Sequence, residues 1–274
     1  MGAAVRGFSF FTRVRGGSGI TRGRQMADCL GGRLDPTDGY ENDVCVYLLG
    51  SHHEQEPEYA YYDVMDCGYA RLSRIRGRTK GGIIAISRAQ HREFLEAFPE
   101  RSIYFLPHHH CNYENEKRPE RPVRTVGCCG GDGAVQWPHY RIEAWLQSMN
   151  LKWSITNEYL RRERVVDFYK TIDIQFVWRP THKRGIAAHT NPLKLSNAGS
   201  FGIPTVCFPE PAFTAEWVNG CIYAENMTEA MRKIRQLAED AAWYEEMSQR
   251  AERAAAGYHI SRIAEYYRAL PGAA

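Results

Sequence analysis

Residues 189–208, HTNPLKLSNAGSFGIPTVCF, combine side chains that suit anion binding with the approach to a buried strand. Thr190 or Asn191 can cap a helix, and Pro192 is favoured in a first helical turn. The N–H groups at such a helix start have no partner within the helix, so they attract phosphate. Lys194 adds a positive charge at the same place. This spacing predicts a helix that begins near Thr190 and binds a diphosphate at its start.

Further basic residues end the predicted strand that precedes this helix. Arg179 and Lys183 lie in the sequence WRPTHKRG. In parallel α/β sheets, strand ends and the following helix starts meet at one edge. We therefore expect Arg179 and Lys183 to assist Lys194 in binding phosphate, with Thr190 and Asn191 as further ligands. A solvated basic loop is the simpler alternative, because such loops are common at protein surfaces.

A glycine-rich loop, Gly16-Gly17-Ser18-Gly19, follows the first predicted strand. Because Gly17 and Gly19 have no side chains, a ligand can approach the backbone closely there. The loop matches neither G-x-G-x-x-G nor G-x-x-x-x-G-K-[ST], which disfavours a nicotinamide cofactor and a P-loop. The loop is therefore either part of a ligand site or a tight turn.

Two residues are candidates for a general base. His108 is the first of three successive histidines after a predicted strand, and Asp66 ends the sequence YDVMD. Either side chain can take a proton from a hydroxyl group, although a carboxylate at a strand end is also a common backbone cap. Consecutive histidines do not converge easily on one ion, and no zinc-type spacing accompanies them. We therefore predict no metal site.

Strand and helix patterns alternate along the chain, which favours parallel β-α-β units. Residues 111–124 interrupt the alternation with a polar, proline-bearing stretch typical of a linker. We predict an α/β protein with two Rossmann-like, doubly wound parallel sheets, in an N-terminal domain (1–120) and a C-terminal domain (121–257). The last segment, 258–274, is expected to form a helix that docks back on the first domain. One long helix is predicted from Met227 onward.

The bulk composition narrows the function classes. A net charge of +3 suits a phosphorylated ligand but is too small to indicate nucleic acid by itself. No run of about 18 apolar residues occurs, and the N-terminus lacks the apolar region of a signal peptide. The eight cysteines include no C-x-x-C and are expected to be reduced core residues. We therefore expect a cytoplasmic protein without a transmembrane segment.

A motif in NAGSFGIPTVCF gives a more specific indication. Ser200, Gly202 and Pro204 place a small residue, a glycine and a proline just before the apolar strand. This pattern resembles the nucleotide-sugar-binding domain of GT-B glycosyltransferases, in particular glycosyltransferase family 4, or group 1. IIAISRAQHREFLEAFPERSIYFLPHHHCN resembles the end of the first domain in that family, and YDVMD resembles an acidic pair found earlier. The resemblance covers residues 60–240 and implies two domains that face a cleft.

The resemblance implies transfer of a sugar from a nucleoside diphosphate to an acceptor. Lys194 would bind the diphosphate, as expected from the helix start. Glu216, in the loop after the buried strand, would bind the ribose. Gly17 and Gly19 would let the donor or the acceptor approach the first domain.

The chain departs from the family at the donor site. His189 and Asn197 stand where many members carry two glutamates, and CCGGDGAVQ supplies no cation after the first strand of the second domain. No D-x-D motif occurs, so cations of the protein, rather than a metal ion, are expected to hold the diphosphate. No cofactor is expected besides the nucleotide-sugar substrate.

The acceptor is expected to be anionic, since several arginines surround the first loop: Arg13, Arg15, Arg22 and Arg24. A glycan, a lipid-linked sugar and a hydroxymethylated DNA base all fit this expectation. Two alternatives use the same fold: a sugar-nucleotide epimerase or hydrolase, and a non-catalytic module that binds nucleotide sugars.

Overall fold

The computed structural model describes residues 6–12, 16–48, 56–66, 81–130, 132–158, 160–180 and 190–273. Contacts within the chain divide it into two compact units. Unit 1 comprises Met1–His109, Arg184–Asn191 and Ile260–Ala274, and unit 2 comprises His110–Lys183 and Pro192–His259.

Unit 1 contains six parallel strands in the order β2-β1-β3-β4-β5-β6. These are β1 (Phe8–Thr12), β2 (Arg33–Leu34), β3 (Val44–Leu48), β4 (Ala60–Asp63), β5 (Gly82–Ala85) and β6 (Ile103–Phe105). A π-helical turn (Gly19–Arg24) continues as α1 (Gln25–Leu30), and α2 (Arg88–Ala97) and α9 (Ile260–Arg268) complete the described helices. The inner strands β3, β4 and β5 are buried along their whole length, as expected when both faces of a parallel sheet are covered.

The C-terminal helix α9 is part of the core of unit 1. The ring of Tyr267 lies 5.6 Å from that of Phe10 in β1. After the helix, the carbonyl of Pro271 accepts a hydrogen bond of 2.6 Å from the Tyr61 hydroxyl. These contacts link α9 and the residues that follow it to β1 and β4.

Unit 2 contains five parallel strands in the order β11-β10-β9-β7-β8. These are β7 (Thr125–Cys129), β8 (Lys152–Thr156), β9 (Ile174–Val177), β10 (Thr205–Cys207) and β11 (Ile222–Tyr223). The described helices of this unit are α3 (His139–Ser148), α4 (Arg162–Thr171), α5 (Leu193–Ser200), α6 (Pro211–Glu216), α7 (Met227–Glu239) and α8 (Ala241–Ala255), with 3₁₀ turns at Asp132–Ala134 and Ala256–Tyr258. The predicted architecture of two parallel-sheet α/β domains is confirmed.

The long helix predicted from Met227 is in fact two helices, α7 and α8. Asp240 separates them with an extended backbone (φ −109°, ψ 94°), and its carboxylate accepts a hydrogen bond of 2.9 Å from Trp243 N. The prediction of one helix is wrong because the apolar stripe continues on both sides of Asp240. Because the capping residue does not interrupt the helical spacing of the apolar residues, that spacing could not reveal the break between α7 and α8.

One buried carboxylate binds the predicted linker to unit 2. Asp173 is fully buried at the start of β9. Its Oδ1 accepts from Arg118 Nε and Arg121 Nε at 2.9 and 2.8 Å. Its Oδ2 accepts from the backbone N–H groups of Arg124 and Thr125, both at 2.8 Å. The segment that leads into β7 is therefore held by four hydrogen bonds to one side chain.

Seven cysteines in the described part of the chain are free thiols, and six of them are buried. Cys67 lies outside the described residues. The Sγ atoms of Cys207 and Cys221 are 3.7 Å apart, whereas a disulfide requires about 2.05 Å. Of the helices within the described ranges, none has both the length and the apolar character needed to cross a membrane.

Candidate functional site

The strand order of unit 2 indicates where a ligand binds. In open parallel sheets, ligands bind beyond the carboxyl ends of the strands, where the strand order reverses. In unit 2 the chain goes from β7 outward to β8 and returns to β9 on the other side of β7, so the order reverses between β7 and β9. Gly130 follows β7, Arg179 follows β9, and Glu210 follows β10. These three residues lie at the carboxyl edge of the sheet.

Lys194, in the first turn of α5, extends to this edge. A Cβ atom placed on Gly130 would lie 2.8 Å from Lys194 Nζ, so the ammonium group is directly beside the backbone after β7. Burial raises the pKa of Cys128, in β7, to about 12, and the positive charges of Lys194 and Arg179 oppose this rise. Both cations are therefore near the end of β7. The segment CCGGDGAVQ has no cation of its own, and the fold places the positive charge of Lys194 beside it.

The contact between Gly130 and Lys194 gives a testable expectation. Gly130→Ala should lower the thermal unfolding midpoint, because the residue has φ +120° and the new methyl group would displace Lys194 Nζ. The matched control is Gly133→Ala, since no atom lies within 4 Å of a Cβ built there. Equal midpoints for the two variants would contradict the placement of the ammonium group.

The start of α5 differs from the sequence prediction. The helix begins at Leu193, and Pro192 occupies the N-cap position. Thr190 and Asn191 precede the cap, so the prediction that either residue caps this helix is wrong. The Asn191 amide instead donates a hydrogen bond of 2.8 Å to Asp66 Oδ1, within unit 1. A proline at the cap leaves the cap without a side-chain acceptor.

Arg179 is already paired with a carboxylate. Its Nε and Nη2 donate to Glu210 Oε1 and Oε2 at 2.7 and 2.6 Å. The Glu210 side chain is 1% exposed and the Arg179 side chain 13%. A shielded, bidentate pair of this kind is a strong interaction. The charge of Arg179 is therefore neutralised, which the sequence did not indicate. Lys183 lies outside the described residues.

Glu216 and Asn197 have polar partners inside unit 2. Glu216 is the last residue of α6, and its Oε2 accepts a hydrogen bond of 2.6 Å from the Tyr258 hydroxyl. Its predicted loop position is wrong, because Pro211 begins a short helix there. The Asn197 Oδ1 accepts a hydrogen bond of 2.8 Å from Cys111 N. Asn197 therefore joins α5 to the segment that precedes β7.

In unit 1 the glycine-rich loop forms the start of a helix beyond the carboxyl end of β1. The Gly17 carbonyl accepts from the Thr21 hydroxyl at 2.9 Å, and Gly19 begins the π-helical turn. Such turns are rare and recur at functional sites. A binding role for Gly17 and Gly19 stays a prediction.

The arginines near this loop are not all surface groups. Arg22 is 1% exposed, and its Nε donates to the buried Asp63 carboxylate at the end of β4. Arg24 is exposed, whereas Arg13 and Arg15 lie outside the described residues. The expectation that Arg22 attracts an anionic acceptor is therefore wrong, because Asp63 neutralises it in the interior. Nothing in the sequence indicated the Arg22–Asp63 pair, because the two residues are 41 positions apart along the chain.

The three successive histidines have different surroundings. The His108 ring is 2% exposed, and neither ring nitrogen has a hydrogen-bond partner among the described residues. His109 Nε2 bonds to the Thr21 carbonyl at 2.9 Å, within unit 1. The ring of His110 lies 5.5 Å from that of His259, within unit 2. Burial contradicts the prediction that His108 is the general base, because its ring does not reach solvent. Asp66, the other candidate, is exposed.

The buried imidazole predicts acid sensitivity. Burial, assisted by the charges of Arg22 and His109, holds the pKa of His108 well below its ordinary value of 6.5. Below pH 6.5 the His108 side chain binds a proton in the unfolded chain, whereas the buried ring in the folded protein does not. Stability should therefore fall as the pH drops below 6.5, by about 1.4 kcal/mol per pH unit. Amide hydrogen exchange in β5 and β6 measures this effect. His108→Leu should flatten the pH dependence; an unchanged slope would contradict this assignment.

The structure matches solved structures of glycosyltransferases. Sucrose-phosphate synthase from Thermosynechococcus elongatus gives a TM-score of 0.64 at 12% identity, covering 98% of this chain and 100% of that chain. WaaG, a glycosyltransferase involved in lipopolysaccharide biosynthesis, gives 0.59 at 11% identity, covering 97% and 100%. No protein-family model and no curated protein matches the sequence.

A TarM mutant from S. aureus, in complex with UDP and α-GlcNAc-glycerol, gives a TM-score of 0.55 at 13% identity. The match covers 82% of this chain, which spans only 55% of the length of TarM. At these identities the likeness concerns the fold. The chain has the GT-B fold, and the resemblance found in the sequence is confirmed at that level.

Proposed function

We propose that this GT-B protein is a glycosyltransferase that uses a nucleoside-diphosphate sugar. The observation that carries the proposal is Lys194 Nζ, which lies beside Gly130 where the strand order of unit 2 reverses. An ammonium group at the start of α5 suits a diphosphate, because helix starts also attract negative charge. The UDP bound to TarM is a ligand of this class.

Transfer requires stabilisation of the leaving diphosphate. Negative charge accumulates on it as the glycosidic bond breaks, and a cation placed there lowers the barrier. Lys194 supplies this charge in our proposal, without a metal ion. Arg179, held by Glu210, would donate through the N–H groups that the pair does not use, and Lys183 remains a proposed ligand. Glu216 remains a proposed ribose ligand, provided that Tyr258 releases it.

Asp66 is the proposed general base, acting on the acceptor hydroxyl. Its exposed carboxylate is oriented by the Asn191 amide, and His108 is too buried for the same task. The acceptor is proposed to be an anionic glycan, a lipid-linked sugar or a hydroxymethylated DNA base. Added salt tests the DNA acceptor, since binding to DNA weakens steeply as salt rises, and a weak salt dependence would remove that option.

The test of the donor site is a thermal-shift screen with UDP, GDP and ADP. A ligand that binds the folded protein raises the unfolding midpoint. We expect one of the three to do so, and Lys194→Ala to abolish the shift, because the variant removes the positive charge at the start of α5. Lys152→Ala, which removes an exposed lysine at the amino end of β8, is the matched control and should keep the shift. An undiminished shift in Lys194→Ala would refute the assignment.

Transfer itself is tested with radiolabelled nucleotide sugars. A glycosyltransferase should label an acceptor, whereas a hydrolase should consume the donor in buffer alone. A binding module should show the thermal shift and neither reaction. Absence of any thermal shift would refute the donor class as well as the enzyme.

A further inference from the structure

Three buried side chains of unit 1 end in polar atoms that have no hydrogen-bond partner among the described residues. They are Arg22 Nη2, both ring nitrogens of His108, and Tyr267 Oη. The three residues are 1%, 2% and 0% exposed, respectively. A buried polar group without a partner destabilises the fold, and native proteins rarely tolerate several such groups together.

These atoms belong to one cluster around the Arg22 guanidinium. Arg22 Nη1 donates to the Pro107 carbonyl at 3.0 Å, and His108 is the next residue. The guanidinium carbon lies 6.0 Å from the centre of the Tyr267 ring. Arg22 follows β1, His108 follows β6, and Tyr267 belongs to α9. Three separate elements therefore bring their unpartnered atoms to the same region.

We infer that Arg22, His108 and Tyr267 bind ordered internal water beside the Arg22–Asp63 pair. Arg22 Nη2 can only donate a hydrogen bond, whereas a neutral imidazole needs one donor and one acceptor. Water offers both functions, and a buried water usually makes about three hydrogen bonds. An anion offers only acceptors, and Asp63 already neutralises Arg22. Complete burial of all three side chains excludes a ligand exchanged from solvent without local opening.

This water has a structural consequence at the carboxyl edge of unit 1. It connects the helix after β1 with the segment after β6 and with α9. Asp63, which bonds to Arg22 and to Met65 N, lies three residues before Asp66. The water thus helps to hold the backbone that presents Asp66. The inference does not depend on the proposed function.

Tyr267→Phe tests the inference, because it removes one oxygen and keeps the ring. If water bonds to Tyr267 Oη, the variant loses a hydrogen bond, and amides of β1 and β4 should exchange faster. The positive control is Tyr61→Phe, which loses the direct bond to Pro271. The negative control is Tyr266→Phe, an exposed neighbour in α9 that should change nothing. Unchanged or slower exchange in Tyr267→Phe would overturn the inference, because removal of an unpartnered hydroxyl is neutral or stabilising.

A crystal structure at a resolution that shows ordered water provides the second measurement. We expect electron density within about 3.2 Å of at least two of the three side chains. Direct packing of these atoms without such density would overturn the inference, whatever the exchange rates.

Discussion

Asp173→Ala is expected to lower the free energy of unfolding of unit 2 by about 3–5 kcal/mol. The variant leaves Arg118, whose side chain is 10% exposed, without its counter-charge. It also leaves the N–H groups of Arg124 and Thr125 without their acceptor. The cost is large because one fully buried carboxylate satisfies two guanidinium groups and two backbone donors at once.

Urea denaturation followed by tryptophan fluorescence measures this loss selectively. All six tryptophans belong to unit 2: Trp137, Trp145, Trp153, Trp178, Trp217 and Trp243. The matched control is Asp167→Ala, which removes an exposed aspartate from α4 and should change stability little. A loss below about 1 kcal/mol in Asp173→Ala, typical of a surface ion pair, would show that Asp173 does not hold this segment.

Asp66→Asn is expected to reduce the rate of sugar transfer by about 10²–10⁴, the usual contribution of a general base. The amide keeps the size of the side chain but cannot take a proton from the acceptor hydroxyl. Because Lys194, in unit 2, is the main proposed diphosphate ligand and the substitution leaves it intact, the thermal shift caused by that ligand should persist. The rate of product formation with labelled donor measures the first effect.

Asp28→Asn is the matched control, because Asp28 is an exposed aspartate on α1 of the same unit. It should transfer sugar at the normal rate. If Asp66→Asn also keeps the normal rate, Asp66 is not the base. If it loses the thermal shift as well, the substitution has damaged more than the acceptor side.

The sequence was sufficient to predict two parallel-sheet α/β domains, but not the short edge strand β2 or the separation of α7 from α8. Inner strands such as Val44–Leu48 and Gly82–Ala85 are continuous apolar runs, because both faces of a parallel strand are buried. Ser87 caps α2 by accepting a hydrogen bond from Gln90 N, and the Ser-x-x-Gln spacing in the sequence is that of a capping box. Apolar runs and helix caps involve residues that are close in the sequence, so they can be recognised without knowledge of the fold. The resemblance of NAGSFGIPTVCF to GT-B enzymes extended them to the whole architecture.

Only the tertiary structure decided the state of the charged side chains. Arg179 and Arg22 looked like free cations, but Glu210 and Asp63 neutralise them. Lys194, in contrast, keeps its predicted role in the proposal, because the fold places its ammonium group beside Gly130. Hydrogen bonds between residues that are distant in the sequence leave no periodic pattern along the chain, so the sequence could not indicate these pairs. Burial determines which charges need a partner, and burial exists only after the elements have packed.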